Sequence, residues 1–170
     1  VDEICAHVRA RAEKAAPGQW IVGNQWGADK MALLNSEESL ARLDEAGLGH
    51  PVLLRDETMH NRWVNREAMR LSGISDNQPD PPAGAFGRDP VTGRLTGLLI
   101  ESAAGIVERV AADHFTEEMG EAAVARAVEI VNSYGVTAFQ DAASVLSILK
   151  ALKGLDDKGD LTAWAVTSLP

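Results

Sequence analysis

The chain has few of the features that mark membrane, nucleic-acid-binding or disulfide-rich proteins. No apolar run approaches the roughly 20 residues that a membrane-spanning helix needs. The formal net charge is −9, and the 25 acidic residues outnumber the 16 basic ones along the whole length. No basic patch is therefore available for nucleic acid or an anionic membrane surface. With one cysteine, Cys5, an internal disulfide is excluded, a buried or idle thiol is expected, and we expect a cytoplasmic location.

Complete catalytic and cofactor motifs are also missing. The four histidines do not form HxH or HExxH pairs, so the sequence predicts no metal site of its own. The glycines do not form a phosphate-binding loop, and neither Ser102 nor Ser144 lies in a GxSxG context. No catalytic residue is therefore predicted within this chain.

The stretch from Asp80 to Glu101 is the most distinctive part of the sequence. Two apolar segments, 85–88 and 95–100, flank a turn in which Pro90 fixes φ and Gly93 supplies a positive φ. This pattern predicts an antiparallel hairpin. We expect the apolar strands at 20–26 and 52–55 to join the same sheet, because nothing else nearby would cover their apolar faces.

Helical patterns surround the hairpin in the first 115 residues. Helices are predicted over 2–16, 36–45, 61–71 and 101–112. Ser36 is the expected cap of the second helix and Asn61 of the third, whose inner face would carry Trp63 and Val64. The first 115 residues are therefore predicted to be α+β.

From residue 116 the pattern changes to alternating helices and strands. Thr116 is expected to cap a helix that carries Ile130 and Tyr134 on one face and ends at Gly135. A strand at 136–140, a helix at 144–155 and a strand at 161–167 follow. Short connections between such elements are typical of a parallel α/β arrangement. The overall prediction is a mixed sheet with an antiparallel hairpin and packed helices, followed by an α/β segment.

Three polar residues follow predicted strands, and sites gather at such positions in parallel α/β folds. His60, after the buried strand and DETM, is either a site residue or a polar residue at a helix start. Glu101 is either a pocket residue or the acid that starts a helix, and Asp141 is either a site residue or a helix cap. The tryptophans are expected to lie in the core or in a pocket wall.

Five stretches carry a resemblance to a known family. They are WIVGNQW at 20–26, HPVLLRDETMHNRWVNREAM at 50–69, SGI at 72–74, PDPPAGAFGRDPVTGRLTGLLIESA at 79–103 and GVTAFQDA at 135–142. In this order they resemble amidohydrolase family 3, a group of metal-dependent hydrolases that includes N-substituted formamide deformylases. The resemblance covers nearly the whole chain, although Arg66 stands where serine is common in the family.

The resemblance implies a (β/α)8 barrel that holds a divalent metal, with zinc as the expected ion. Residues 1–115 would be an α+β insert early in the barrel, and residues 116–170 would be partial barrel β/α units. The HxH pair of the family would lie before this chain, and its modified lysine, later histidines and final aspartate after it. The chain, which starts on a predicted helix without an initiator methionine, is therefore expected to be an internal fragment that lacks the metal-ligand motifs.

The resemblance also implies hydrolysis of C–N amide-type bonds in a small-molecule substrate by the longer enzyme. This chain would form the substrate-access insert and early barrel strands and would be inactive alone, with pocket candidates at His60, Trp63, Asn65, Glu101 and Asp141. A stand-alone α/β ligand-binding or interaction domain is the alternative. A cofactor-free isomerase or esterase is a more distant one, because no nucleophile–base pair is visible. A homodimer is expected through the strand edges at 136–140 and 161–167.

Overall fold

A computed structural model describes residues 1–112, 114 and 116–169. The chain forms two compact units, Val1–His114 and Phe115–Pro170, and each is considered by itself. The predicted limits at residues 115 and 170 lie outside the described residues, and the division into an insert and barrel units stays a prediction. Within the described part of the chain, no helix is both long enough and apolar enough to cross a membrane.

The first unit interleaves helices with the strands of one sheet. Its elements are α1 (Asp2–Ala12), β1 (Ile21–Trp26), α2 (Met31–Leu34), α3 (Glu37–Gly47), β2 (Val52–Asp56), β3 (Asn61–Val64), α4 (Arg66–Leu71), β4 (Gly84–Arg88), β5 (Leu95–Glu101) and α5 (Ala104–Ala112).

The sheet is mixed and has the strand order β1-β2-β3-β5-β4. β1 and β2 are parallel and are connected through α2 and α3, whereas the other neighbouring strands are antiparallel. The predicted α+β organisation is confirmed, and so is the prediction that the strands near 20–26 and 52–55 join the sheet of the hairpin. β1, β2 and β5 therefore run in one direction and finish at the same edge.

Helices cover both faces of this sheet. One apolar cluster joins Leu53, Phe86 and Leu99 to residues of α4 and α5. The other joins Leu54 and Leu98 to residues of α1, α2 and α3. Because successive residues of a strand point to opposite faces, β5 supplies Leu98 to one core and Leu99 to the other.

The hairpin of β4 and β5 confirms its prediction. Its turn is closed by Asp89, whose backbone N–H donates to the Arg94 carbonyl and whose own carbonyl accepts from Gly93, both at 2.8 Å. Gly93 has a φ of +72°, as the turn requires. Further along β5, Gly97 has a φ of +78°, and a Cβ there would lie 2.0 Å from the carbonyl oxygen of Val64. Glycine at this position therefore allows β5 to pass close to the end of β3.

The predicted helix over 61–71 is wrong in its first half. Residues 61–64 form β3, a strand between β2 and β5 whose four residues are all buried. The helix starts at Arg66, and its cap is Asn65, whose Oδ1 accepts from the Ala68 N–H at 3.1 Å. Pairing on both sides of β3 outweighs the helical spacing of its apolar residues, because a central strand has no solvent-facing side to reveal an alternating pattern.

The predicted helix start at Glu101 is also wrong. Glu101 is the last residue of β5 and has a φ of +50°, and α5 begins at Ala104. The prediction of a cap at Ser36 is confirmed, since its hydroxyl accepts from the Ser39 N–H at 3.1 Å.

The second unit contains α6 (Glu117–Ser133), β6 (Ala138–Asp141), α7 (Leu146–Lys158) and β7 (Trp164–Thr167). Thr116 caps α6, as predicted, and β6 and β7 are parallel. Ile130 and Tyr134, predicted to lie on one face of the helix, are both exposed, and Tyr134 follows the last residue of α6. Trp20, Trp26 and Trp63 are buried as predicted, but Trp164 is 75% exposed and lies outside the core.

Candidate functional site

Polar side chains gather at the edge of the first unit where β1, β2 and β5 finish, which we call the carboxyl edge. β2 ends at Asp56 and β5 at Glu101, and β3 starts there at Asn61. A turn of four residues, Glu57 to His60, connects β2 to β3. Loops at the carboxyl ends of parallel strands commonly carry binding and catalytic groups, so this edge is the candidate site.

His60 and Glu101 meet at the carboxyl edge. Nδ1 of His60 lies 3.0 Å from Oε2 of Glu101, and the two side chains are 60% and 54% exposed, so a ligand can reach both. The hydrogen bond and the negative charge of Glu101 raise the pKa of His60 above its ordinary value. The pair can therefore offer a ring N–H and a carboxylate oxygen side by side to a ligand.

The turn that carries His60 is held from inside by Asp56. Its Oδ1 accepts from the Asn61 N–H at 3.0 Å, and its Oδ2 accepts from Asn61 Nδ2 at 2.8 Å and from Thr58 Oγ1 at 2.6 Å. Burial alone would raise the pKa of Asp56, but these hydrogen bonds outweigh it and the pKa lies below its ordinary value. An ionised Asp56 thus stabilises the turn, in which Met59 has a φ of +64°.

An ion cluster joins the strands on both sides of this turn to α5. Arg55 of β2 and Arg62 of β3 are directly paired across the sheet, and both reach Glu108 of α5. Arg55 binds the carboxylate with two parallel bonds, Nε to Oε1 at 2.7 Å and Nη2 to Oε2 at 2.8 Å. Burial alone would raise the pKa of Glu108, but the hydrogen bonds and charges of the two arginines lower it.

Two predicted pocket residues of the first unit lie elsewhere. Trp63 has no exposed surface and belongs to the core that α1 and α3 cover. Asn65 lies at the start of β2, which is the opposite edge of the sheet from His60. Its Oδ1 accepts from the N–H groups of Val52 and Ala68, and its Nδ2 donates to the His50 carbonyl. These contacts give Asn65 a part in joining β2 to α4, and a pocket role for either residue stays a prediction.

Asp141 ends β6 in the second unit. Its Oδ2 accepts from Ser144 Oγ at 2.6 Å, and its Oδ1 accepts from the Ala143 N–H at 3.4 Å. The carboxylate therefore holds the turn that leads to α7, which is close to the alternative role of a cap. Its role as a pocket residue stays a prediction.

Sequence reasoning missed Asp56, Arg62 and Glu108 as supports of the candidate site. The signal for Asp56 is its position two residues before Thr58 and five before Asn61, a spacing that suits a carboxylate that bonds its own turn. Arg62 and Glu108 had no usable signal, because their contact depends on β3 being a strand. The contact between Arg62 and Glu108 could not be expected while residues 61–64 were predicted to be helical.

The described residues do not provide a metal site. Among residues 1–112, 114 and 116–169, no three His, Cys, Asp or Glu side chains are grouped so that they could hold a metal ion. His60 and Glu101 bring one imidazole and one carboxylate together, which is fewer than the three protein ligands usual at a catalytic zinc.

Three relatives of known sequence each match over most of this chain. An N-substituted formamide deformylase of Arthrobacter pascens is 29% identical over 135 residues, which is 78% of this chain and 23% of the relative. The protein LONG AFTER FAR-RED 3 of Arabidopsis thaliana is 31% identical over 140 residues, 82% of this chain and 23% of the relative. A putative amidohydrolase of Bacillus subtilis is 28% identical over 128 residues, which is 72% of this chain and again 23% of the relative. The chain thus spans less than a quarter of the length of these relatives.

Solved structures share the fold. An uncharacterized metal-dependent hydrolase from Pyrococcus horikoshii superposes with a TM-score of 0.62 at 19% identity, covering 97% of this chain and 31% of that one. A second, from Pyrococcus furiosus, has the same TM-score at 22% identity and 97% and 32% coverage. The sequence profile of the amidohydrolase family matches residues 1–167. This match, which covers almost the whole length, shows that the chain belongs to the amidohydrolase family.

Proposed function

We propose that this chain is part of a metal-dependent amidohydrolase that acts on C–N bonds of the amide type, and that the carboxyl edge of its first unit lines the substrate site. The observation that carries the proposal is the exposed His60–Glu101 pair at the edge where the parallel strands finish. Membership of the amidohydrolase family and the printed name of the formamide deformylase relative support the substrate class.

The chemistry of the pair suits an amide. An amide substrate presents a carbonyl oxygen that accepts a hydrogen bond and, in most cases, an N–H that donates one. The ring N–H of His60 can donate to the carbonyl, and a carboxylate oxygen of Glu101 can accept from the N–H. The pair therefore binds and orients the substrate, and no proton transfer is assigned to it.

The proposal assigns the metal to other parts of a longer protein. The described residues do not form a ligand cluster, so they do not fit a divalent ion. The fold neighbours, which are named as metal-dependent hydrolases, support a divalent metal in the complete protein. Zinc is the ion that we propose for it.

The finer proposal about architecture is that the second unit supplies adjacent strands of a (β/α)8 barrel. It is supported by the parallel pairing of β6 and β7 with α7 between them. In this proposal residues 1–115 form the insert. β1 and β2 are also parallel and joined by helices, which is the same pattern that barrel strands have. A structure of the longer protein tests where the insert begins and ends.

The test uses the longer, metal-loaded protein that contains this chain and a panel of small amides. We expect His60→Asn and Glu101→Gln each to raise KM by about tenfold with a smaller change in kcat. The shorter Asn cannot place an N–H where the imidazole has it, and Gln lacks the charge that strengthens the bond to the substrate N–H. His7→Asn is the matched control, since His7 is exposed on α1. Unchanged kcat/KM in both site variants would reject the carboxyl edge as the substrate site.

The same proposal makes a second testable statement about the chain alone. Purified chain, supplied with zinc, should show no amide hydrolysis above background, because the groups that activate water are assigned to the rest of the protein. Metal-dependent hydrolysis by the chain alone, still present after a second purification, would contradict the proposal that the water-activating groups lie in the rest of the protein.

A further inference from the structure

The backbone on both sides of His60 is held by one guanidinium group. Nη1 of Arg62 donates to the carbonyl oxygens of Met59 and Asn61, at 2.9 Å each. These are the residues immediately before and after His60. Arg62 thus fixes the peptide unit that enters His60 and the one that leaves Asn61, and Asp56 holds the unit between them through the Asn61 N–H.

Arg62 is itself held in place. Its Nε donates to Oε1 of Glu108, and the carboxylate of Glu108 is fixed in turn by the two bonds from Arg55. The side chain of Arg62 is only 10% exposed, so water competes weakly for these bonds. A planar guanidinium can serve a carboxylate and two carbonyls at once, which the single ammonium of lysine cannot do with the same geometry.

One residue on each side of the His60–Glu101 pair has an unfavourable backbone conformation. Met59 has a φ of +64° and Glu101, on the other side of the pair, a φ of +50°. Non-glycine residues keep such angles only where the surroundings enforce them. Asp56 enforces the turn from inside through Asn61 and Thr58, and Arg62 enforces it from outside.

We propose that Arg62, anchored by Glu108, is a positioning residue that holds His60 against Glu101 at the substrate site. The inference rests on the proposed function for the meaning of that site, but the geometry of the pair can be tested without activity. Arg62 is not assigned any contact with substrate.

The electrostatics of the pair separate a positioning role from a simple charge effect. The hydrogen bond and charge of Glu101 raise the pKa of His60, Asp56 adds to this, and the positive charge of Arg62 acts in the opposite direction. If Arg62 acted only as a nearby charge, its removal would raise the pKa of His60. If Arg62 positions His60, its removal loosens the pair and the pKa falls.

The experiment is an NMR titration of the His60 ring signals in the 170-residue chain, as wild type and as the variants Arg62→Lys, Arg62→Met and Glu101→Gln. Arg62→Lys keeps the positive charge but loses the planar group that donates several N–H bonds in fixed directions. It therefore tests the effect of the hydrogen-bond geometry separately from that of the charge. We expect the pKa of His60 to fall in both Arg62 variants towards its value in Glu101→Gln. Arg70→Met is the matched control, because Arg70 makes an exposed pair with Glu67 on α4, and it should leave the pKa unchanged.

A pKa of His60 that stays the same or rises in Arg62→Lys would overturn the inference. If Arg62→Met does not fold, as judged by amide signal dispersion, the folded Arg62→Lys and Glu108→Gln variants decide the question. Glu108→Gln weakens the anchor of Arg62 and leaves Arg62 itself present. An unchanged pKa of His60 in both Glu108→Gln and Arg62→Lys would also overturn the inference.

Kinetics of the longer protein separate this inference from the proposed function. With both correct, Arg62→Lys should lower kcat/KM by about tenfold, because displacement of a substrate-orienting group is sufficient for such a loss. A fall in the pKa of His60 together with unchanged kinetics in His60→Asn would support the positioning by Arg62 and reject the substrate site. An unchanged pKa of His60 in Arg62→Lys together with a lower kcat/KM in His60→Asn would reject the positioning by Arg62 and support the substrate site.

Discussion

At the scale of single residues, the pairing of His60 with Glu101 couples the stability of the first unit to pH. The pKa of His60 is raised in the folded state by Glu101, so the charged imidazole is stabilised by folding. This contribution is fully present below the pKa that His60 has in the unfolded chain. It is lost as the pH rises through the higher pKa of the folded state.

Glu101→Gln should therefore destabilise the first unit more at mildly acidic pH than at alkaline pH. The substitution keeps the side-chain size and the φ of +50° at this position, so the comparison isolates the charge. Thermal unfolding of wild type and variant between about pH 5.5 and 9, a range that spans the ordinary pKa of histidine, provides the measurement. A difference in melting temperature that grows with pH would have the wrong sign for this pair.

Asn65 supports the fold at the opposite edge of the sheet. Asn65→Ala should lower the free energy of unfolding by about 2 to 4 kcal/mol, because α4 loses its cap and the buried N–H of Val52 loses its acceptor. Ser36→Ala is the control, since it removes a helix cap at a less buried position and should cost only about 1 kcal/mol. Urea unfolding followed by tryptophan fluorescence compares the two, and equal losses would show that Asn65 acts as a cap alone.

At the scale of the elements, the sequence was sufficient for the hairpin and insufficient for β3. The turn of β4 and β5 carries its own signals at Pro90 and Gly93, which act within a few residues. β3 has no local signal, because its neighbours β2 and β5 come from distant parts of the chain and bury all four of its residues. Two asparagines four residues apart, Asn61 and Asn65, both suit a helix cap, and only the sheet decides between them.

The dependence of β3 on distant strands also explains which part of the candidate site could be predicted. His60 and Glu101 were identified because each follows a recognisable strand, and the structure brings them together. Trp63 and Asn65 share the HxxWxN run with His60, yet the strand places one in the core and the other at the far edge. Proximity in sequence therefore did not place the three side chains at one edge of the sheet.

Gly97 tests how closely β5 passes the end of β3. Gly97→Ala should destabilise the first unit by at least about 2 kcal/mol more than Gly93→Ala. Both positions have a positive φ and share that strain, but only at Gly97 would the new Cβ meet the carbonyl oxygen of Val64, whereas Gly93 has open space around it. Urea unfolding of the two variants gives the difference. Equal stabilities would mean that β3 and β5 can separate here at little cost.

At the scale of the whole molecule, the second unit exposes apolar surface that a soluble monomer seldom leaves uncovered. Trp164 and Val166 of β7 and Val136 before β6 are exposed, and β6 and β7 pair only with each other among the described strands. Two strands alone make a marginal sheet with unpaired backbone edges. We propose that a second copy of the chain pairs with these edges in a symmetric dimer.

Light scattering over a dilution series measures this association. Trp164→Glu should weaken the dimer by at least about tenfold in Kd, because it places a charge in the apolar contact. Val91→Glu is the control, since Val91 is exposed in the hairpin turn of the first unit. A wild-type chain that stays monomeric at high concentration, or an equal effect of both variants, would reject the proposed dimer.

The strand order of the sheet has a consequence for how the chain folds. β2 pairs with β3 across a short turn, as β4 does with β5, whereas β3 must meet β5, and β1 must meet β2, across much longer segments. Closing long segments costs more chain entropy, so non-local pairings form more slowly. We expect the two hairpins to form first and β1 to be added later. In pulsed hydrogen exchange during refolding, amides of the ladder between β2 and β3 should become protected before those of the ladder between β3 and β5, and the opposite order would exclude this sequence of events.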